Sequence, residues 1–184
     1  MSKKYASLEE RLDAWSVERD NGFCSPCRIW MGYAQNGAPM PRGKEGGYPR
    51  INMRYRASGE EKAKSRKYPA YWVRRVLYEI SKIVPDFDSN NPQHMESFWD
   101  LLYAYRSLGL TIEHVCKHTL CINPLHLDWV PMAENNGRKR WSEVRRRSRI
   151  ESNHNGVGRH AALIRNSAGV KEFIEKIKKS RHLK

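Results

Sequence analysis

Cys116, Cys121 and His126 recur at intervals of five residues, and two more cysteines stand far upstream as Cys24-Ser25-Pro26-Cys27. Thiolates and imidazole are the ligands zinc prefers, and a tight loop with this spacing can wrap two thiolates and one imidazole round a tetrahedral ion. A fourth ligand has to come from elsewhere. Cys24 and Cys27 lie in a stretch rich in Gly, Pro, Ser and Asn (21–47), so either can supply it and would staple the N-terminal half to the segment around 116–126. The spacing also permits a four-cysteine site with His126 free, because the upstream pair is itself a two-residue-spaced knuckle.

A chain of this composition gains from such a staple. Only 39% of its 184 residues are hydrophobic and the mean hydropathy is -0.81, which suits one main domain with appendages and a modest core. No apolar run approaches the roughly 20 residues of a membrane-spanning helix, and the first residues lack the apolar stretch of a secretory signal. The expectation is a cytoplasmic protein without a membrane partner, with its cysteines in a reducing compartment.

The 34 Lys+Arg against 20 Asp+Glu leave a net charge of +14, unevenly spread. Residues 138–184 hold 15 basic and 4 acidic side chains, and residues 42–75 hold 11 and 3. Blocks such as Arg138-Lys139-Arg140 and Arg145-Arg146-Arg147 can neutralise phosphates and release counterions, which points to a polyanionic partner. The basic runs lack the apolar stripe of a membrane-surface helix.

Local patterns predict the elements. Ser7 with Glu10 forms a capping box for a helix over 8–15 whose Leu8, Leu12 and Trp15 share a face. A strand over 48–55 puts Ile51 and Met53 on one side and Arg50, Asn52 and Arg54 on the other. Residues 58–67 read as a charged loop. Helices follow over 71–83, with Val73, Val76, Leu77 and Ile80 inward and Arg74 and Arg75 beside them, and over 92–108, with Phe98, Leu101, Leu102 and Tyr105 inward and Gly109 as the stop. A long basic helix is expected from about Asn135 to Arg149, then a linker over 152–158 and two short helices split near Gly169. Leu163, Ile164, Val170, Phe173, Ile174 and Ile177 in that tail could equally form a dimer seam.

His114, then Asn123-Pro124-Leu125-His126-Leu127, then Asn135 form a series that resembles the HNH, or His-Me finger, endonucleases. The likeness is to their zinc-stabilised branch, especially the His-Cys box homing endonucleases. Cys27-Arg28-Ile29-Trp30-Met31-Gly32 and Gly47-Tyr48-Pro49-Arg50-Ile51 resemble upstream motifs of the same branch. The resemblance implies an α+β fold: a small mixed domain with a ββα-metal motif stapled by a structural zinc, plus helical N- and C-terminal extensions. Its divisions are an N-terminal helix (1–20), the nuclease domain (21–140) and a basic extension (141–184) for DNA contact or dimerisation.

The implied zinc ligands are Cys27, Cys116, Cys121 and His126. The implied catalytic residues are His114 as general base, Asn135 as ligand to a catalytic Mg²⁺ or Mn²⁺ that Glu113 could join, Arg50 at the scissile phosphate, and Asn123 pinning the loop. The implied partner is double-stranded DNA, met by Arg50, Asn52, Arg54, Arg56, Arg74, Arg138, Lys139, Arg140, Arg145 and Arg146. The expected activity is metal-dependent, site-specific DNA cleavage to 5′-phosphate and 3′-hydroxyl ends, with a two-fold homodimer the simplest way to cut both strands. The competing expectation is a non-catalytic, zinc-stapled DNA-binding regulator. Two departures stand out: Glu113 occupies a place where many relatives have Asp, and the stretch from Ile80 to Leu110 is longer than the usual connector.

Overall fold

The structure, a computed structural model, describes residues 5–32, 48–55, 64–84, 86–138 and 142–154, together with Glu172 and Glu175. It is a mixed α+β arrangement of helices and three two-stranded antiparallel sheets. Among the described residues no helix is long and apolar enough to cross a membrane.

Helix α1 (Leu8–Ala14) starts at Ser7, whose side chain accepts from the Glu10 amide at 3.0 Å, and it buries Leu12 completely in the main core. Strands β1 (Ser16–Arg19) and β2 (Cys27–Trp30) pair antiparallel. The other edge of β2 takes up a distant segment: Trp30 N donates to Leu120 O at 2.9 Å, Ile122 N donates to Arg28 O at 2.7 Å, and Ile29 bridges Cys121. Those bonds bring Cys27 to Cys121.

Strand β3 (Arg50–Tyr55) pairs in register with β4 (Lys64–Pro69), Arg50 opposite Pro69 and Asn52 opposite Lys67. The charged loop expected over 58–67 is therefore wrong for residues 64–67. Backbone pairing with β3 holds that run extended while Ser65, Arg66 and Lys67 stay exposed, so it never shows the apolar alternation of a half-buried strand. Ile51, Met53 and Tyr68 are buried beneath the ribbon.

Helix α2 (Ala70–Ile83) follows β4 directly, anchored by Ala70 N donating to Pro49 O, and α3 (Pro92–Ser107) begins at Asn91, whose side chain accepts from the Gln93 amide. Gly109 adopts φ 67 where the chain turns out of α3, a conformation that costs a glycine little. Phe98, Leu101, Leu102 and Tyr105 of α3 pack against Val73, Val76 and Ile80 of α2 in one core.

Strand β5 (Leu110–His114) and β6 (Leu127–Pro131) form the third pair, joined by the cysteine loop and a single 3-10 turn over Pro124–His126. Helix α4 (Met132–Arg138) comes next and packs on both strands. The order is strand, loop, strand, helix. Trp129 of β6 sits against Trp72 (ring centroids 5.6 Å apart) and Tyr105 (4.6 Å), which seats the hairpin on α2 and α3.

The single long basic helix is corrected to two, α4 and α5 (Glu143–His154). Ser142 explains the second start, because it is not itself helical and its Oγ accepts from Arg145 N at 3.4 Å, the side-chain bond of an N-cap. The linker expected from 152 begins no earlier than 155, since Ser152, Asn153 and His154 are still helical. Helical spacing puts Arg146, Arg149, Ile150 and Asn153 on one buried face. Ile150 packs among Cys27, Val115, Cys116 and Cys121, while Arg149 Nε meets Asp128 Oδ2 at 2.6 Å and Asn153 Nδ2 donates to Leu125 O at 3.0 Å. Residues 143–154 are thus built into the core around the cysteines rather than appended beyond residue 140. Ile150→Ala is expected to cost about 2–5 kcal/mol, the range for emptying a buried aliphatic site; urea denaturation at saturating zinc measures it.

The expectations for Arg56, Lys139 and Arg140, for residues 155–158, for the helices near Gly169 and for the seam of Leu163, Ile164, Val170, Phe173, Ile174 and Ile177 lie outside the described residues.

Candidate metal centre

The sulfur atoms of Cys27, Cys116 and Cys121 and a ring nitrogen of His126 lie within 4.8 Å of one another, and all four residues are buried. It is the one such Cys/His/Asp/Glu group among the described residues. Sulfur ligands at about 2.3 Å and a nitrogen at about 2.0–2.1 Å from a tetrahedral zinc stand about 3.5 Å apart. His126 Nδ1 is 3.4 Å from Cys27 Sγ and 3.6 Å from Cys121 Sγ. Donor set, burial and spacing all fit a structural zinc, which would tie β2 to the loop between β5 and β6.

The local backbone arranges these donors. From Asn21 to Cys27 exposure alternates, with Asn21, Phe23, Ser25 and Cys27 turned inward and Gly22, Cys24 and Pro26 outward. That alternation chooses Cys27 and leaves Cys24 exposed and free. In the loop, Lys117 takes φ 62 and its amide donates to His114 O at 2.9 Å, the sharp bend that turns Cys116 back toward Cys121. Cys121 N donates to His118 O at 2.9 Å, and Asn123 N approaches Cys121 Sγ at 3.4 Å. The carbonyl of Pro26 accepts from Asn123 Nδ2 at 2.7 Å, and Asn123 Oδ1 accepts from Leu125 N at 3.0 Å, so Asn123 ties the two halves of the centre together.

The sulfurs influence one another strongly. Hydrogen bonds from Cys116 and Cys121 hold Cys27 well below the ordinary thiol range, and Asn21 Nδ2 donates to its Sγ at 2.7 Å. Cys116 is pushed up in return, by its bonds to Cys121 and Cys27 and by burial. A cation placed among them would favour the thiolate form of all three.

Beside the centre, at the end of β5, stands His114. Its ring meets that of Tyr71 edge to face, with centroids 4.8 Å apart, and the ring of Tyr48, on the approach to β3, lies 5.7 Å from that of Tyr71. Burial lowers the His114 pKa to about 4, against opposition from a hydrogen bond to the Cys121 backbone, so the ring is neutral near pH 7. The residue as a whole is half-buried, yet its Nε2 is sealed from solvent and has no hydrogen-bond partner among the described residues. Arg50 reaches the same neighbourhood, close enough for its charge to act on Tyr71, and its Nε too is buried, with no hydrogen-bond partner among the described residues.

The remaining site candidates are spread more widely. Asn135 is half-buried on α4, the helix packed against the strand that carries His114. Glu113 is not brought to the His114 face: strand alternation turns it to the opposite side, across from Asp128, where Arg149 docks. Arg74 Nη2 pairs with Asp13 at 3.1 Å, and Arg146 is buried at 9% exposure, which removes it from the exposed basic block. Arg145 and Arg147 of the block are exposed, Arg147 paired with Glu143 at 3.0 Å. Asn52 is exposed on the ribbon, Arg54 lies on β3 and Arg138 ends α4. Sequence reasoning does not single out Asn21, Ser25 or the Asp128–Arg149 pair; the alternation that turns the first two inward is a feature of the fold, and residues 21–27 carry no apolar alternation to announce it.

Compared with protein-family models, with curated proteins and with solved structures, the chain matches none of them. Its own side chains carry the functional reading.

Proposed function

We propose that this protein is a metal-dependent, site-specific DNA endonuclease of the HNH, or His-Me finger, type, held together by zinc at Cys27, Cys116, Cys121 and His126. One observation carries the reading: neutral His114 ends a strand whose hairpin encloses the Cys/His cluster, and the helix after that hairpin, bearing Asn135, packs on the same strand. Strand, loop, strand and helix in that order, with those two side chains, support a ββα-metal reading.

Hydrolysis of a phosphodiester needs a water deprotonated and the charge on the phosphate and leaving oxygen offset. His114, neutral near pH 7, is the proposed acceptor of the water proton; its Nε2 has no hydrogen-bond partner among the described residues but is covered, so DNA or metal binding has to open it to the water. Arg50 meets the phosphate. A Mg²⁺ or Mn²⁺ ion held by Asn135 and DNA oxygens would supply the charge that stabilises the leaving 3′ oxygen. One neutral amide is a weak Mg²⁺ site, and Glu113 faces away, so such an ion would be bound chiefly through substrate. Asn52 and Lys67, directly opposite each other and both exposed, fit the β3–β4 ribbon to the major groove, which admits a two-stranded ribbon.

The regulator reading draws on one observation, the sealed Nε2 of His114. The two readings part on a pooled supercoiled plasmid library incubated with zinc-loaded protein. Open circles or linear DNA with Mg²⁺ or Mn²⁺, and none when both are omitted, is the expected result. DNA binding with every plasmid left supercoiled in either metal leaves the regulator.

A further inference from the structure

His126 is fully buried, and its two ring nitrogens have different neighbours: Nδ1 faces the sulfurs of Cys27 and Cys121, while Nε2 lies 3.0 Å from Ser25 Oγ. A neutral imidazole carries one N–H, and the nitrogen bearing it cannot bind a metal. Buried polar groups need partners, so whichever nitrogen finds an acceptor keeps the proton. We propose that Ser25 is the positioning residue of the metal centre, accepting the Nε2 proton of His126 and thereby leaving the Nδ1 lone pair for zinc.

The surroundings equip Ser25 for that role. Its oxygen also faces Asn123 Nδ2 at 3.5 Å, so two donors converge on one hydroxyl, whose two lone pairs can take both. Asn123 is itself fixed by Pro26 O and Leu125 N, and the Phe23 ring meets the imidazole edge-on with centroids 5.9 Å apart. Three inward residues of the 21–27 stretch thus surround the centre beyond its ligands: Asn21 on the Cys27 sulfur, Phe23 against the ring and Ser25 on the second nitrogen. Metal-bound histidines commonly owe their orientation to such an outer partner, and losing it weakens metal binding about 10–100-fold. This inference rests on the zinc reading and is independent of the nuclease reading.

The test uses the full chain, with Zn²⁺ titrated in competition with a chromogenic chelator, and ¹⁵N spectra of labelled histidine on the zinc-loaded protein. Ser25→Ala is expected to weaken zinc binding about 10–100-fold, and Ser25→Thr, which keeps the hydroxyl, to restore most of it. In the wild type His126 should show a metal-bound Nδ1 and a protonated Nε2 whose proton exchanges slowly, and that exchange should quicken in Ser25→Ala. Unchanged affinity in Ser25→Ala, an equal loss in Ser25→Thr, or metal on Nε2 in the wild type overturns the assignment.

Discussion

Cys121→Ser is expected to lose zinc and, with it, the cooperative fold, while Cys24→Ser keeps both. The two cysteines have opposite surroundings. Cys121 is fully buried, bridges Ile29 of β2 and sits one residue before Ile122, which is fully buried in the main core. Cys24 points outward from the alternating 21–27 stretch. Structural zinc sites in small domains contribute apparent binding free energies of about 10–16 kcal/mol. The net stability of a domain is about 5–15 kcal/mol, so forfeiting even half of the zinc contribution removes about a third of the reserve at the least and all of it at the most. The local cluster that would remain is small: Val115, Ile150, Phe23 and Ile29 around the cysteines. Zinc content by chelator release and a thermal melt followed by circular dichroism decide the matter. One zinc per chain in the wild type and in Cys24→Ser, and none with a broadened or absent transition in Cys121→Ser, is the expected pattern. Equal loss in both variants would reassign the ligands.

The same two cysteines mark how far the amino-acid sequence alone is legible. The spacing of Cys116, Cys121 and His126 can be read directly because the loop that holds them is local. Spacing does not decide the fourth ligand, since Cys24 and Cys27 are almost equally distant along the chain; the inward alternation of Asn21, Phe23, Ser25 and Cys27 decides it, and that pattern contains too few apolar residues to register as a strand. Helices α2 and α3 announce themselves through long apolar periodicity, which is the strongest local signal a chain offers. Strand β4 escapes because Ser65, Arg66 and Lys67 owe their extended form to hydrogen bonds with β3 rather than to burial. The embedding of α5 escapes for another reason. Arginine reads as a surface residue, and the partner that makes Arg149 tolerable in the interior, Asp128, lies twenty-one positions away on β6. Breaking such a pair leaves a buried charge uncompensated, so it is a commitment of the fold rather than a decoration of its surface.

The nuclease proposal stands or falls on His114. A general base in reach of the attacking water contributes typically about 10²–10⁴-fold to a rate, and His114 has the protonation state the task needs, being neutral near pH 7. It is also packed against Tyr71, so its loss could act through the fold instead of the chemistry. Zinc content and thermal midpoint separate those routes, because a catalytic base can be removed without disturbing either. The direct measurement is the rate of plasmid cleavage by zinc-loaded His114→Ala against the wild type in Mg²⁺. A fall of about 10²–10⁴-fold, with zinc content, thermal midpoint and DNA affinity unchanged, is the result expected of a general base; cleavage at the wild-type rate would contradict it.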